Sequence, residues 1–219
     1  MDEDFPLSRA LPALALAALA LASCGGPKPL VLPADPVDRA ATCGIVAAAE
    51  ARSATADINQ PLTIDAQGHI LQHAMLAASG SGRFSVQIAN AVSKRMSELQ
   101  AEVTSGKWQD LEPACSAAFP TATSGEATLP KDRLDAQLGC SALAEFTASA
   151  LESDRHYAAE ISRYRKLRAT LSDHMGPALR ARFGSDLTKQ RDAGDKAMAA
   201  MAELGSPVAV LDQCLKTFG

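Results

Sequence analysis

Four cysteines arranged as two copies of one pattern constrain this chain more than any other feature in it. Gly106, Cys115 and Phe119 are matched by Gly205, Cys214 and Phe218 at a shift of 99 residues. Asp38 and Cys43 are matched by Asp135 and Cys140 at a shift of 97. At the longer shift Arg83-Phe84 also falls on Arg182-Phe183, Ile88 on Leu187, Leu99 on Met198 and Leu111 on Val210. Self-similarity at a fixed period marks a duplicated structural unit. Four cysteines allow three pairings. If each copy closes on itself, the expected pairs are Cys43 with Cys115 and Cys140 with Cys214. Each would staple a first helix to a last one across a loop of seventy-odd residues. By chain entropy such a loop is worth about 4 kcal/mol. A module of about 85 residues has a thin core, so that is a large share of its stability. No Cys-x-x-Cys occurs, which argues against a redox-active pair.

Composition says what the copies are made of. Among 219 residues, 44 are alanine and only nine are aromatic. Alanine is the strongest helix former, and a large sheet needs the β-branched and aromatic residues that are sparse here. An apolar share of 47% is too high for a disordered chain. A net charge of −4 with no basic excess excludes a nucleic-acid footprint. The expected fold is all-α: two tandem, similar helical bundles, each clamped by one disulfide.

Helix signals divide the chain. Asp35-Pro36 reads as an N-cap with proline at the first helical position, opening a helix to about Thr55. A second helix is expected after Asp65, up to Ser79-Gly80-Ser81-Gly82. A third runs from Arg83 to Thr104, with Phe84, Ile88, Val92, Met96, Leu99 and Val103 on one face. A short helix carries Cys115 to Phe119, with Trp108 filling the core where it turns back. Residues 120–130 (PTATSGEATLP) read as a linker between module 1 (37–119) and module 2 (131–219). In the second module a turn is expected near Glu152-Ser153-Asp154, with breaks at Gly176-Pro177 and Gly184-Ser185. The last helices run from Asp186 to Leu204 and from Pro207 to Phe218.

The N-terminus carries an address. The stretch 10–22 (ALPALALAALALA) has the length of a signal-peptide core and is too short to span a bilayer. It ends in Leu21-Ala22-Ser23-Cys24, which resembles the lipobox of bacterial lipoproteins in all four positions. The resemblance covers residues 1–24 only. It implies cleavage of residues 1–23 and thioether linkage of diacylglycerol to Cys24, anchoring the chain to a membrane. Gly25, where an Asp would favour inner-membrane retention in enterobacteria, implies the periplasmic face of the outer membrane. That compartment is oxidising, as the cysteine pairs require. Residues 24–36, rich in Pro and Gly, read as a semi-stiff tether. The mature chain holds 22 acidic and 20 basic residues, too balanced to steer a charged partner.

Few residues advertise chemistry. His69 and His73 share one helical face at i and i+4, a spacing that can hold a metal through two imidazoles, with Asp65 in the same stripe. Ile70 stands where a zinc protease needs Glu. His174 reads as a helix C-terminal residue. Arg163, Arg165, Lys166 and Arg168 form the one basic cluster, a solvated helix face or a contact for anionic head groups or an acidic partner. There is no haem-attachment motif, phosphate loop or nucleophile elbow, and no catalytic residue is assigned. These readings point to a non-enzymatic envelope lipoprotein that binds or scaffolds an envelope protein partner. The alternative is a periplasmic metal- or small-ligand-binding protein using His69 and His73 or an apolar groove between helices. A hydrolase of envelope polymers has no motif behind it.

Overall fold

The computed structural model describes residues 30–57, 59–123 and 127–219. The signal segment and Cys24 lie outside these residues, as does the first part of the tether. Among the described residues there are eight α-helices and no strand: α1 (Pro36–Ser53), α2 (Ile64–Ser79), α3 (Val86–Ser105), α4 (Glu112–Ala118), α5 (Arg133–Leu151), α6 (Ala158–Phe183), α7 (Leu187–Ala202) and α8 (Pro207–Phe218). None of them is long and apolar enough to cross a membrane.

Capping chemistry sets where the helices begin. Asp35, Thr63, Ser85, Asp132, Asp186 and Ser206 each turn a side-chain oxygen onto backbone N–H groups of the first turn. Such caps contribute about 1 kcal/mol apiece. Asp35 and Asp132 are repeat partners at the shift of 97, so the two copies begin alike. In each copy the first helix packs between the second and third: α1 between α2 and α3, and α5 between α6 and α7. Disulfides Cys43–Cys115 and Cys140–Cys214 then join first helix to fourth, with Cα atoms 5.3 and 5.8 Å apart. The pairing deduced from the repeat is the one present.

The copies are filled differently. The second holds one continuous core, in which Leu143, Tyr164, Leu171, Met201 and Leu211 are fully enclosed. The first has two small clusters, one around the disulfide with Ile45, Val46, Val103 and Leu111, the other made of Ala40, Ala41, Ala74 and Val92.

Helix α2 belongs to both. Its Ile70 and Ala74 face α1 and α3, while Met75 enters the second core. Gly68 lets Val208 come so close that a Cβ there would lie 2.9 Å from a Val208 methyl carbon. Gln72, fully buried, donates from Nε2 to the Ala202 carbonyl. Tyr157 Oη donates to the Leu62 carbonyl at 2.6 Å and accepts from Gln67 Nε2 at 3.1 Å. A buried hydrogen bond of this kind contributes about 1 kcal/mol and fixes register. Further along, Phe84 N–H donates to the Asp195 carbonyl at 3.0 Å and Arg83 pairs with Asp192 at 2.6 Å.

Several expectations need correction. Gly176-Pro177 does not end a helix: α6 runs through Pro177 to Phe183, so His174 sits mid-helix and exposed. Proline removes one backbone bond and crowds the preceding turn. The continuation is held by Leu179 and Phe183 packing on the second core and by Arg182 bonding Asp132 and Asp135 at 2.7 and 2.8 Å. The actual stop is Gly184, at φ 63°, a conformation that suits glycine. Ile88, placed on the buried face of α3, is exposed, as is its repeat partner Leu187. In the 120–130 stretch Ala122 and Ala127 are buried. Leu30 and Leu32 pack on the first core, and Arg39 donates to the carbonyls of Pro33 and Ala34, so residues 30–34 lie against the body.

Candidate functional site

The gap in the first bundle follows from the sequence of α1. Past the disulfide its second half reads Ala47-Ala48-Ala49-Glu50-Ala51, side chains too small to reach the neighbouring helices. At the shift of 97, Val46, Ala49 and Ala54 correspond to Leu143, Phe146 and Leu151 of α5, which fill the second bundle. Phe146 meets Phe84 edge to face, with ring centroids 5.2 Å apart. On α2, Ala74 and Ala78 stand where α6 has Leu171 and Met175. Interiors pack without voids when side-chain volume allows, and here it does not.

Two cavities result, one on either side of α1. The first, about 390 Å³, lies between α1, α2 and α4. Its wall is the Cys43–Cys115 disulfide with Val46, Ala47, Ala51, Ala66, Phe119 and Ala122, and its polar groups are His69, His73, Glu50, Glu112 and Ser116. The second, about 680 Å³, lies between α1, α2 and α3 and is lined by Ala48, Ala49, Ile70, Met96 and Trp108 among others. A cavity of a few hundred Å³ with apolar walls and a few polar groups is the usual form of a small-molecule site. The first has the richer chemistry.

Both predicted histidines lie on that wall. His69 Nδ1 donates to the Ala122 carbonyl at 2.7 Å, tying α2 to the turn after α4. His73 Nδ1 donates to the His69 carbonyl at 3.1 Å. This assigns the His73 proton to Nδ1 and leaves Nε2 a bare acceptor on the far edge of the ring. The His73 ring packs edge-on to Phe119 at 5.2 Å and is only 6% exposed. Burial pushes its pKa down to about 4, outweighing the His69 carbonyl, which favours the charged form. At neutral pH this ring carries no charge.

The metal reading lacks a third ligand. Asp65 is exposed and is not on the cavity wall. Among the described residues no group of three or more His, Cys, Asp or Glu is placed to hold a metal ion. Glu50 and Glu112, which no motif singled out, reach the cavity from α1 and α4. Neither forms an ion pair among the described residues. Only the helical spacing of Glu50 from Val46 and Ala47 could have signalled its position beforehand. For Glu112 the sequence holds no signal.

The basic cluster on α6 is largely neutralised. Arg163 lies 3.8 Å from Asp212, Arg165 pairs with Glu152, and Arg168 pairs with Glu145 at 2.6 Å. Trp108, expected to fill the core, is half-buried: it packs against the disulfide cluster and borders the larger cavity. No protein-family model, curated protein or solved structure matches the chain, so the site is read from its own geometry.

Proposed function

We propose that this chain is a lipid-anchored, non-enzymatic binding module of the cell envelope, facing the periplasm from the outer membrane. Its binding site is the cavity between α1, α2 and α4. The anchor rests on the likeness of Leu21-Ala22-Ser23-Cys24 to a lipobox, and two long-range disulfides suit an oxidising compartment. The ligand site rests on one observation. A space of about 390 Å³ stands open beside the first disulfide with a buried imidazole on its wall, at positions where the second copy is filled. Along α1 the cavity's Val46 and Ala54 stand where α5 has Leu143 and Leu151, while its Ala47 and Ala51 stand where α5 also has alanine.

A mass spectrum of the full chain, extracted from membranes and recorded natively and then denatured, tests both parts. The expected result is a covalent acyl mass that survives denaturation and vanishes in Cys24→Ala. With it comes a stoichiometric mass that leaves on denaturation and is absent from Ala51→Phe, which fills the cavity. A chain without the acyl mass overturns the anchor. A native mass with no departing component, or one retained by Ala51→Phe, overturns the cavity as the site.

A further inference from the structure

We propose that the α1–α2–α4 cavity recognises an organic ammonium, a protonated amine carrying a small apolar body. This rests on the reading of that cavity as the binding site. His69 and His73 each commit their Nδ1–H to a backbone carbonyl, which leaves only an acceptor nitrogen on either ring. His73 is more than nine-tenths buried, its Nδ1–H is committed to the His69 carbonyl, and no group among the described residues donates to its Nε2. Two carboxylates, Glu50 and Glu112, share the wall with it, and no Lys or Arg does.

Glu50 and Glu112 have no counter-ion among the described residues, and an unpaired charge costs more the further it is withdrawn from water. An anionic ligand would meet two like charges. A neutral one would leave both carboxylates without a partner. A cationic donor satisfies a carboxylate, and its apolar body covers Phe119, Val46 and the disulfide. Glu112 is half-buried while Glu50 is exposed. Attraction grows as the effective dielectric falls, so Glu112 is the main partner and Glu50 the weaker one.

Calorimetric titration of the full-length chain with three probes of one shape tests this: 2-phenylethylamine, 2-phenylethanol and phenylacetate. The amine should bind at least tenfold more tightly than the alcohol, and the anion should not bind. Glu112→Gln should erase the amine's advantage while leaving the alcohol's affinity and the melting temperature unchanged. Glu50→Gln, which leaves α4 intact, should erase a smaller part. Equal binding of amine and alcohol, or an advantage that survives both substitutions, overturns the ammonium preference and leaves the cavity as a binding site. Binding of none of the three overturns both readings.

Discussion

The two bundles share a helix order, an aspartate cap at the first helix and a disulfide from first helix to fourth, yet they bury very different amounts of side chain. In α5 and α6 the inward positions hold Leu143, Phe146, Leu167, Leu171 and Met175. The matching positions of α1 and α2 hold Val46, Ala49, Ile70, Ala74 and Ala78. At roughly 0.8 kcal/mol per buried methylene, that difference is large against the stability of a small module. Topology is therefore carried by caps, disulfide and helix order, which both copies keep. Filling is a separate variable: the less filled copy has cavities on both sides of its first helix, while that of the second copy lies at its edge, by Arg133 and Phe218.

The sharpest way to break this comparison is to remove each staple in turn. Without Cys43–Cys115, as the double alanine variant, about 4 kcal/mol of chain-entropy stabilisation is lost. The small clusters of the first bundle cannot offset that. Hydrogen exchange should show α1 and α4 unprotected while α5 to α7 stay protected. The Cys140/Cys214 double alanine variant should melt at a lower temperature but remain folded. Equal behaviour of the two variants would mean that the cores do not differ in strength.

Next in size is a pH effect confined to the first bundle. The His73 pKa is about 4 in the folded chain, against about 6.5 when unfolded. Between those values the unfolded chain holds a proton that the folded chain refuses. Stability should therefore fall by about 3 kcal/mol as pH drops from about 6.5 to about 4, with no such slope above. His156 and His174, on the second copy, are exposed. Urea melts at pH 7 and pH 4.5 should differ by about 2 kcal/mol, and His73→Gln should remove the difference. An unchanged slope in that variant would place its origin elsewhere.

The smallest test compares two glycines. A Cβ on Gly139 would lie 2.3 and 2.6 Å from Met201 Cε and Cγ and 3.1 Å from the Ala197 carbonyl oxygen. Met201 is fully enclosed, so Gly139→Ala should cost about 1–3 kcal/mol. A Cβ on Gly44 would meet only the tip of Met96, at 2.9 and 3.0 Å. That side chain is half-buried beside the larger cavity and can swing away. Gly44→Ala, helped by alanine's better helix propensity, should stay within about 1 kcal/mol of the parent. Similar losses at both glycines would mean the first bundle is packed as tightly as the second.

What could be read from the sequence divides along the same line. The cap at Asp35 is local chemistry, and the cysteine pairs follow from the repeat, so both were legible. The run of α6 through Pro177 was not, because what holds it is tertiary: Leu179, Phe183 and the two hydrogen bonds that Arg182 donates to Asp132 and Asp135. Nor was the second buried face of α2, since Gly68, Gln72 and Ser79 do not look like core residues. His69 and His73 were visible as a pair, but their setting was not. A cavity is a shortfall of volume summed over several helices, and no single spacing records it.

The position of α2 carries one more consequence. Met75 belongs to the second core, Gly68 receives Val208, and Gln72 is bonded to Ala202. The unit that repeats in the sequence and the body that folds therefore differ in size. Cutting the chain at the repeat boundary would not yield two free-standing modules. It would strip a wall from the second copy and leave the first with a bare apolar flank. With a helix of one bundle built into its neighbour, neither can be excised or swapped alone.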